Sequence, residues 1–301
     1  MIIIKYILTT FSVTVFFLSI SSSLCGQSLE IDSAFRITMS GSDETFPAWS
    51  GDGKKLVFQS SKYGNSDIFL YYIKTNTLKQ VTESKANEQH PVFIPKNGKI
   101  AFDSQRNDSI YIYSIDTITQ KEDFVFSRKI FCQEPTFSPS GRLLVFKGYD
   151  SSLESWQIFS YDLVYDNLNQ LTHFTNKEVF RPQLSPNGKI ILFATKDTFV
   201  PYSSSLKEIN WYGEKVISID SLPILSYCWS QNNFRIITIF KKDNMFYSLT
   251  SLRKDGTSAY NLLNDTIEIV TPAISPGGKK LAVAVKFNND FDIVIFKLPD
   301  E

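Results

Sequence analysis

From residue 44 onward, short apolar runs alternate with short polar breaks, and one arrangement returns six times. An apolar run opens at a proline, a polar turn interrupts it, a second apolar run follows, and a polar loop leads to a third. The copies are FPAWSGDGKKLVF (46–58), HPVFIPKNGKIAF (90–102), EPTFSPSGRLLVF (134–146), RPQLSPNGKIILF (181–193), SYCWSQNNFRIITIF (226–240) and TPAISPGGKKLAVAV (271–285). Their anchors Pro47, Pro91, Pro135, Pro182, Tyr227 and Pro272 stand 44, 44, 47, 45 and 45 residues apart. Self-similarity at a fixed spacing in this range signals a repeat architecture.

Each copy predicts an antiparallel sheet. The proline is expected to start a strand, where its missing N–H matters least. Ser-Pro-x-Gly is turn chemistry, with proline fixing φ and glycine accepting a positive φ. Lys55-Leu56-Val57-Phe58 then predicts a buried strand, residues 61–66 a polar loop, 67–72 a third strand, and 78–82 a fourth. Four strands per unit in an all-β chain predict a propeller blade. The sixth copy ends after its third strand, 291–296, while Ala34-Phe35-Arg36-Ile37-Thr38 is a spare strand. It matches the fourth strands Lys79-Gln80-Val81-Thr82 and Asn169-Gln170-Leu171-Thr172. The fold expected is therefore a six-bladed β-propeller of four-stranded antiparallel blades, closed by the N-terminal strand completing the last blade, which leaves no long unpaired edge.

Residues 44–69 carry Glu44, Pro47, Trp49, Ser50, Asp52, Gly53, Lys54, Phe58, Gly64, Asn65, Asp67, Ile68 and Phe69. This pattern resembles the TolB-like β-propeller repeat, and the resemblance extends over the chain from residue 28 on. Copies two, three, four and six keep the proline and glycine; copy five loses both. The resemblance implies an envelope protein of the Tol–Pal type, whose family members carry an α/β domain before the propeller. About ten residues separate the leader from the first strand here, so a stand-alone propeller without that domain is expected. The same blades also precede serine-peptidase domains in the prolyl oligopeptidase family, and no hydrolase domain follows here.

Residues 1–27 read as a secretory signal, with Lys5 in the n-region and an apolar stretch from Tyr6 to Ile20. That stretch falls short of the ~20 residues a membrane helix needs. Cleavage after Gly26 is expected, giving a periplasmic or secreted domain over 28–301 with no membrane span. An uncleaved anchor and lipidation at Cys25 are the alternatives. Only Cys132 and Cys228 then remain. They fall in non-adjacent repeats, which favours two buried thiols over a disulfide.

Composition narrows the partners. Lys+Arg and Asp+Glu balance at 31 each and the pI is about 6.7, which argues against nucleic acid, since that needs a basic footprint. Two histidines rule out a three-His metal site. No G-x-S-x-G, H-E-x-x-H, P-loop or G-x-G-x-x-G motif is present, so no catalytic residue, cofactor or metal is assigned. The residues preceding the anchors, Phe46, His90, Glu134, Arg181, Ser226 and Thr271, should ring the mouth of the central channel. The ring reads either as a site for a protein, peptide or glycan or as a solvated, mutually neutralised rim. Glu44 and Glu88 should satisfy N–H groups of their own loops. On the loops joining second and third strands, Tyr63, Arg106 and Tyr149 are partner-contact candidates. Trp156 is the aromatic expected to be exposed, and the long polar stretch 198–210 reads as an ordinary loop, with an insertion that adds a partner contact as the alternative. The function expected is a monomeric, exported, non-enzymatic module that binds a protein or peptide of the bacterial envelope. A carbohydrate- or peptide-active enzyme at the channel mouth is the alternative.

Overall fold

The computed structural model of the protein describes residues 29, 34–126, 130–197, 204–220, 224–241 and 247–298. The leader, Cys25 and the loop residues Lys242, Asp243 and Asn244 lie outside them. Among the described residues every regular element is a strand, and no helix is long and apolar enough to cross a membrane.

Six four-stranded antiparallel sheets follow one another along the chain. The first blade runs Glu44–Trp49, Lys55–Ser60, Asp67–Tyr72 and Thr77–Gln80 from its inner to its outer strand. Second and third strands are sandwiched between neighbouring blades, so both of their faces are apolar and consecutive residues alternate between two seams. Leu56, Phe58, Phe69 and Tyr71 pack on Ala282, Ala284, Ile293 and Ile295 of the last blade. The intervening Val57, Ile68 and Leu70 pack on Ile100, Phe102, Tyr113 and Ile115 of the second. Each such side chain, wholly withdrawn from water, contributes about 1.5–3 kcal/mol.

The ring closes as the spare strand predicts. Phe35 pairs with Ile295 and Arg36 with Val294. Ile37 N donates to Ile293 O at 2.9 Å, and Ile293 N to Thr38 Oγ1 at 2.8 Å. Thr82 and Thr172 accept the same bond from Ile68 and Ile158, both at 2.9 Å. Thr38 thus does in the composite blade what those threonines do in continuous ones. Arg36 and Thr38 also bond the buried Asp292.

Three expectations change. The anchor proline does not start its strand: register passes from Thr45↔Gln59 to Ala48↔Val57, so Phe46 and Pro47 form a bulge within the inner strand. A bulge tolerates proline because its residue makes no ladder bond. Residues 204–210 are part of neither a loop nor an insertion but form a regular third strand, Ser204–Asn210, paired with Ile190–Lys196; 198–203 lie outside the described residues. Glu44 and Glu88 accept hydroxyls rather than loop N–H groups. Glu44 is held by Ser40, Ser42 and Ser60, and Glu88 by Ser84, Ser104 and Arg106, because serines crowd the entrances to those strands.

Candidate functional site

The bulges build the site. Phe46, His90, Glu134, Arg181 and Thr271 all have positive φ, between 50 and 56°. Non-glycine residues adopt this region uncommonly, yet it recurs here at one repeat position in five blades. The left-handed turn aims each residue's N–H across the seam at the preceding blade. Phe46 N donates to Thr271 Oγ1 at 3.2 Å, His90 N to Gln59 Oε1 at 2.9 Å, and Glu134 N to Asp103 Oδ1 at 2.9 Å. Arg181 N donates to Glu134 Oε2, and Thr271 N to Ser226 Oγ at 3.0 Å. In the fifth blade Tyr227 replaces proline, and the irregularity shifts to Ile224–Ser226.

Which acceptor serves depends on one position of the second strand, occupied in turn by Gln59, Asp103, Lys147, Ala194, Ile239 and Ala284. Gln59 and Asp103 accept directly. Lys147 has no acceptor to offer and reaches Glu178 at 3.2 Å instead, so Glu134 takes over for Arg181. Alanine and isoleucine cannot accept, so Ser226 and Thr271 serve the last seams.

The side chains of the ring meet over the channel. The Phe46 and His90 rings stand edge-on at 4.4 Å. Arg181, from the fourth blade, places its guanidinium 4.9 Å from the Phe46 ring of the first. Its Nη1 donates to Leu225 O at 3.3 Å and to Ser226 Oγ. Burial lowers the Arg181 pKa and Glu134 opposes that shift. His90 Nδ1 lies 2.8 Å from Oδ1 of Asp103, whose side chain is 1% exposed. Burial presses His90 toward its neutral form, but Asp103, with help from Glu134, outweighs it and raises its pKa. Tyr227 donates its hydroxyl to Phe180 O at 3.2 Å and to Arg181 O; burial holds that phenol well above its ordinary pKa. Beneath the ring the channel is a cavity of about 430 Å³ walled by the inner strands, with Trp49, Phe137 and Trp229 toward its far end.

The structure brings Phe46, His90, Glu134 and Arg181 together and leaves the other four candidates outside the ring. Tyr63 is exposed on the first blade, against Phe69 and under Lys62. Arg106 is tied to Glu122 and Glu88 and lies 4.1 Å over Tyr113. Trp156, expected to be exposed, is half-buried: the Tyr149 ring meets it at 5.5 Å and the Lys147 ammonium covers it at 5.1 Å. Both cysteines are buried free thiols, as expected from their separate blades. Asp103, Gln59 and Tyr227 escaped the sequence reading. Their signal was a polar residue directly after an apolar triplet, Leu-Val-Phe before Gln59 and Ile-Ala-Phe before Asp103, and a tyrosine in a proline's place.

Comparison with known proteins fits this geometry. Residues 15–233 match the model of the TolB β-propeller domain. The Tol-Pal system protein TolB of Francisella tularensis is 28% identical over 208 residues, covering 66% of this chain and 47% of that protein. The chain thus spans about half the length of the curated relatives it matches. The crystal structure of TolB from Acinetobacter baumannii superposes with a TM-score of 0.64 at 21% identity, over 79% of this chain and 58% of that one. An oligogalacturonate lyase from Vibrio parahaemolyticus superposes with a TM-score of 0.59 at 14% identity, over 91% and 99%. At such identities the superpositions speak for the fold alone, and they include an enzyme. Repeat, ring closure and family match agree: the chain belongs to the TolB β-propeller domain family.

Proposed function

We propose that the protein is an exported, non-enzymatic propeller that binds a protein or peptide of the bacterial cell envelope at the channel mouth. The observation that carries this is the Phe46–His90–Glu134–Arg181 ring over an apolar-walled cavity. An aromatic face, a cation, an anion and an imidazole converge there on a rigid frame. About 430 Å³ suits a short inserted segment rather than a folded body, and sites of this kind are concave with a few placed polar groups. The Tol-Pal names of the sequence relatives support an envelope partner. The domain runs from residue 28 to 301 and acts as a monomer in the periplasm.

The test is affinity capture from envelope extract with the chain and with a His90→Ala/Glu134→Ala/Arg181→Ala variant. His90→Gln serves as a variant that leaves the inter-blade bonds in place. A partner held by the wild type and released by both variants supports the reading. Equal capture by all three sinks it. An enzymatic reading draws on the His90–Asp103 pair, which has the form of an oriented general base. The two hydroxyls on the ring are already engaged, Ser226 by Arg181 and the Thr271 amide, and Thr271 by the Phe46 amide. Turnover of an envelope glycan or peptide that disappears in His90→Ala would establish the enzyme instead.

A further inference from the structure

The face opposite the channel mouth carries a charge pattern that the site does not use. It is formed by the turns between inner and second strands and those between third and outer strands. Backbone bonds join the two sets: Ile73 N to Lys54 O, Leu163 N to Arg142 O, Lys254 N to Phe234 O and Leu298 N to Lys279 O, each between 2.8 and 3.0 Å.

The inner turns span 50–54, 94–99, 138–142, 185–189, 230–234 and 275–279. They hold six cations, Lys54, Lys96, Lys99, Arg142, Lys189 and Lys279, and one acid, Asp52. The cause is local. Asp52 Oδ1 accepts Lys54 N at 3.1 Å. Asn97, Asn187 and Asn232 make the equivalent bond at 3.0, 3.0 and 2.9 Å, and Ser140 does so for Arg142 at 3.3 Å. The turn is preserved while the carboxylate that would offset its lysine is gone. Arg142 is paired with Asp162, and Lys99 lies 3.8 Å from Asp123. Lys96 and Lys189 have no ion pair among the described residues. The outer turns of the same face balance Lys74, Lys121, Lys215 and Lys254 against Asp116, Asp166, Glu214 and Asp255, so the excess of cations is that of the inner turns; loops on the mouth side mix Lys62, Glu83, Lys85 and Asp108.

The same face exposes apolar tips. Ile118 is 90% exposed, Val164 68%, Tyr165 71%, Tyr212 66% and Phe234 69%. They fall on the second, third, fourth and fifth blades in succession, an arc beside the cations. The chain also enters the ring from this side, since Phe35 pairs with Ile295 close to the turn-side end of that strand at Lys297.

We infer that the turn face docks on an anionic phospholipid surface, with Lys96 and Lys189 near the headgroups and Ile118, Tyr165, Tyr212 and Phe234 entering the interface. Exposed apolar clusters mark interaction sites. Lysines beside interfacial aromatics and aliphatics are what a charged leaflet attracts and a surface-lying protein inserts. The channel mouth then faces away from the membrane, open to a partner.

The experiment is flotation of the full chain with vesicles of phosphatidylglycerol and phosphatidylethanolamine, and with vesicles of phosphatidylcholine alone. The neutral vesicles report whatever the N-terminal apolar stretch does by itself. At least 25-fold tighter binding to the anionic vesicles, weakening with salt, is expected. Lys96→Gln/Lys189→Gln should lose about 25-fold of it, taking about fivefold per lysine. Ile118→Ser/Tyr212→Ser should lose at least fivefold, and Lys62→Gln/Lys85→Gln on the mouth side nothing. In Phe234→Trp the new indole should shift its emission to the blue on anionic vesicles. Equal binding to both vesicle types overturns the inference, as do turn-face variants that bind like the wild type. Capture by a soluble polyanion such as heparin without a preference for anionic vesicles would move the face to a different class of partner and also overturns it.

Discussion

Asp103 holds two elements of the ring at once, so its removal tests whether the ring is built as described. Its side chain is 1% exposed, and Oδ1 lies 2.8 Å from His90 Nδ1 and 2.9 Å from Glu134 N. A hydrogen bond to a charged group contributes about 1.5–3 kcal/mol, and a stranded buried N–H costs about 1–3. Asp103→Ala loses both bonds and strands the Glu134 amide, so about 3–5 kcal/mol of stability should go. Asp103→Asn keeps an acceptor for that amide and should lose about 1–2 kcal/mol. Equilibrium unfolding in urea, followed by tryptophan emission, measures both. The pH dependence is sharper still. His90 has a raised pKa in the folded state against about 6.5 unfolded. Its contribution is therefore complete below about pH 6.5 and is lost as pH rises through the folded value. In Asp103→Asn burial acts with less opposition, the folded pKa drops below 6.5, and stability should instead rise with pH in the window below about 6.5 and level off above it. Variants within about 1 kcal/mol of wild type at pH 6, with an unchanged pH slope, would refute the assignment of Asp103 as the ring's organiser.

Three further outcomes are expected. Burial first, and Glu88 next, push Asp67 up to about 6, so wild-type stability should fall as pH rises from about 4 to 6; Asp67→Asn should remove that segment of the stability–pH curve. Gly141 sits at φ +76°, and a Cβ there would lie 2.9 Å from Pro95 O in the neighbouring turn. Gly141→Ala should therefore lower stability by about 1–3 kcal/mol in thermal unfolding, whereas a gain would contradict the close approach. Burial pushes the Cys132 and Cys228 thiols up to about 12. Peptide mapping after iodoacetamide at pH 8 should find both unlabelled in native protein and labelled in urea; fast native labelling of either would show that its blade opens.

Most of the fold was legible because the blade repeats its own grammar. The anchor spacing placed Phe46, His90, Glu134 and Arg181 at one level of six sheets, and the Val81-Thr82 and Leu171-Thr172 strand ends identified Ile37-Thr38 as the closing segment. What escaped depends on neighbours from another blade. That Asp103 serves both His90 and Glu134 follows from the seam between second and third blades, and no local pattern states it. Trp156 reads as exposed beside a polar loop, yet Tyr149 lies directly across the ladder from it, and Lys147 lays its ammonium over the ring. Arg106 sits on a loop edge but finds Glu122 sixteen residues on. Glu44 and Glu88 are bonded within their own blades, but by hydroxyls and, at Glu88, the Arg106 guanidinium rather than loop N–H groups, since serine density at a strand entrance is a weak cue to which group an acid accepts.

The left-handed residue before five of the six anchors has a consequence for how such a ring changes over time. The seam is fastened by the backbone amide of that residue, which is the same atom whatever the side chain. Across the seam, glutamine, aspartate, glutamate, serine and threonine have all proved adequate acceptors. At Phe46 and His90 recognition and closure are thereby carried by different atoms of one residue, whereas the side chains of Glu134, Ser226 and Thr271 also fasten the seam that follows them. A lineage can rewrite the mouth at Phe46 or His90 without loosening the barrel of sheets beneath, but a change at Glu134, Ser226 or Thr271 must supply the next seam with another acceptor. A blade copied with this bulge brings the donor of its seam with it, and asks of the neighbour that precedes it only one acceptor near the mouth.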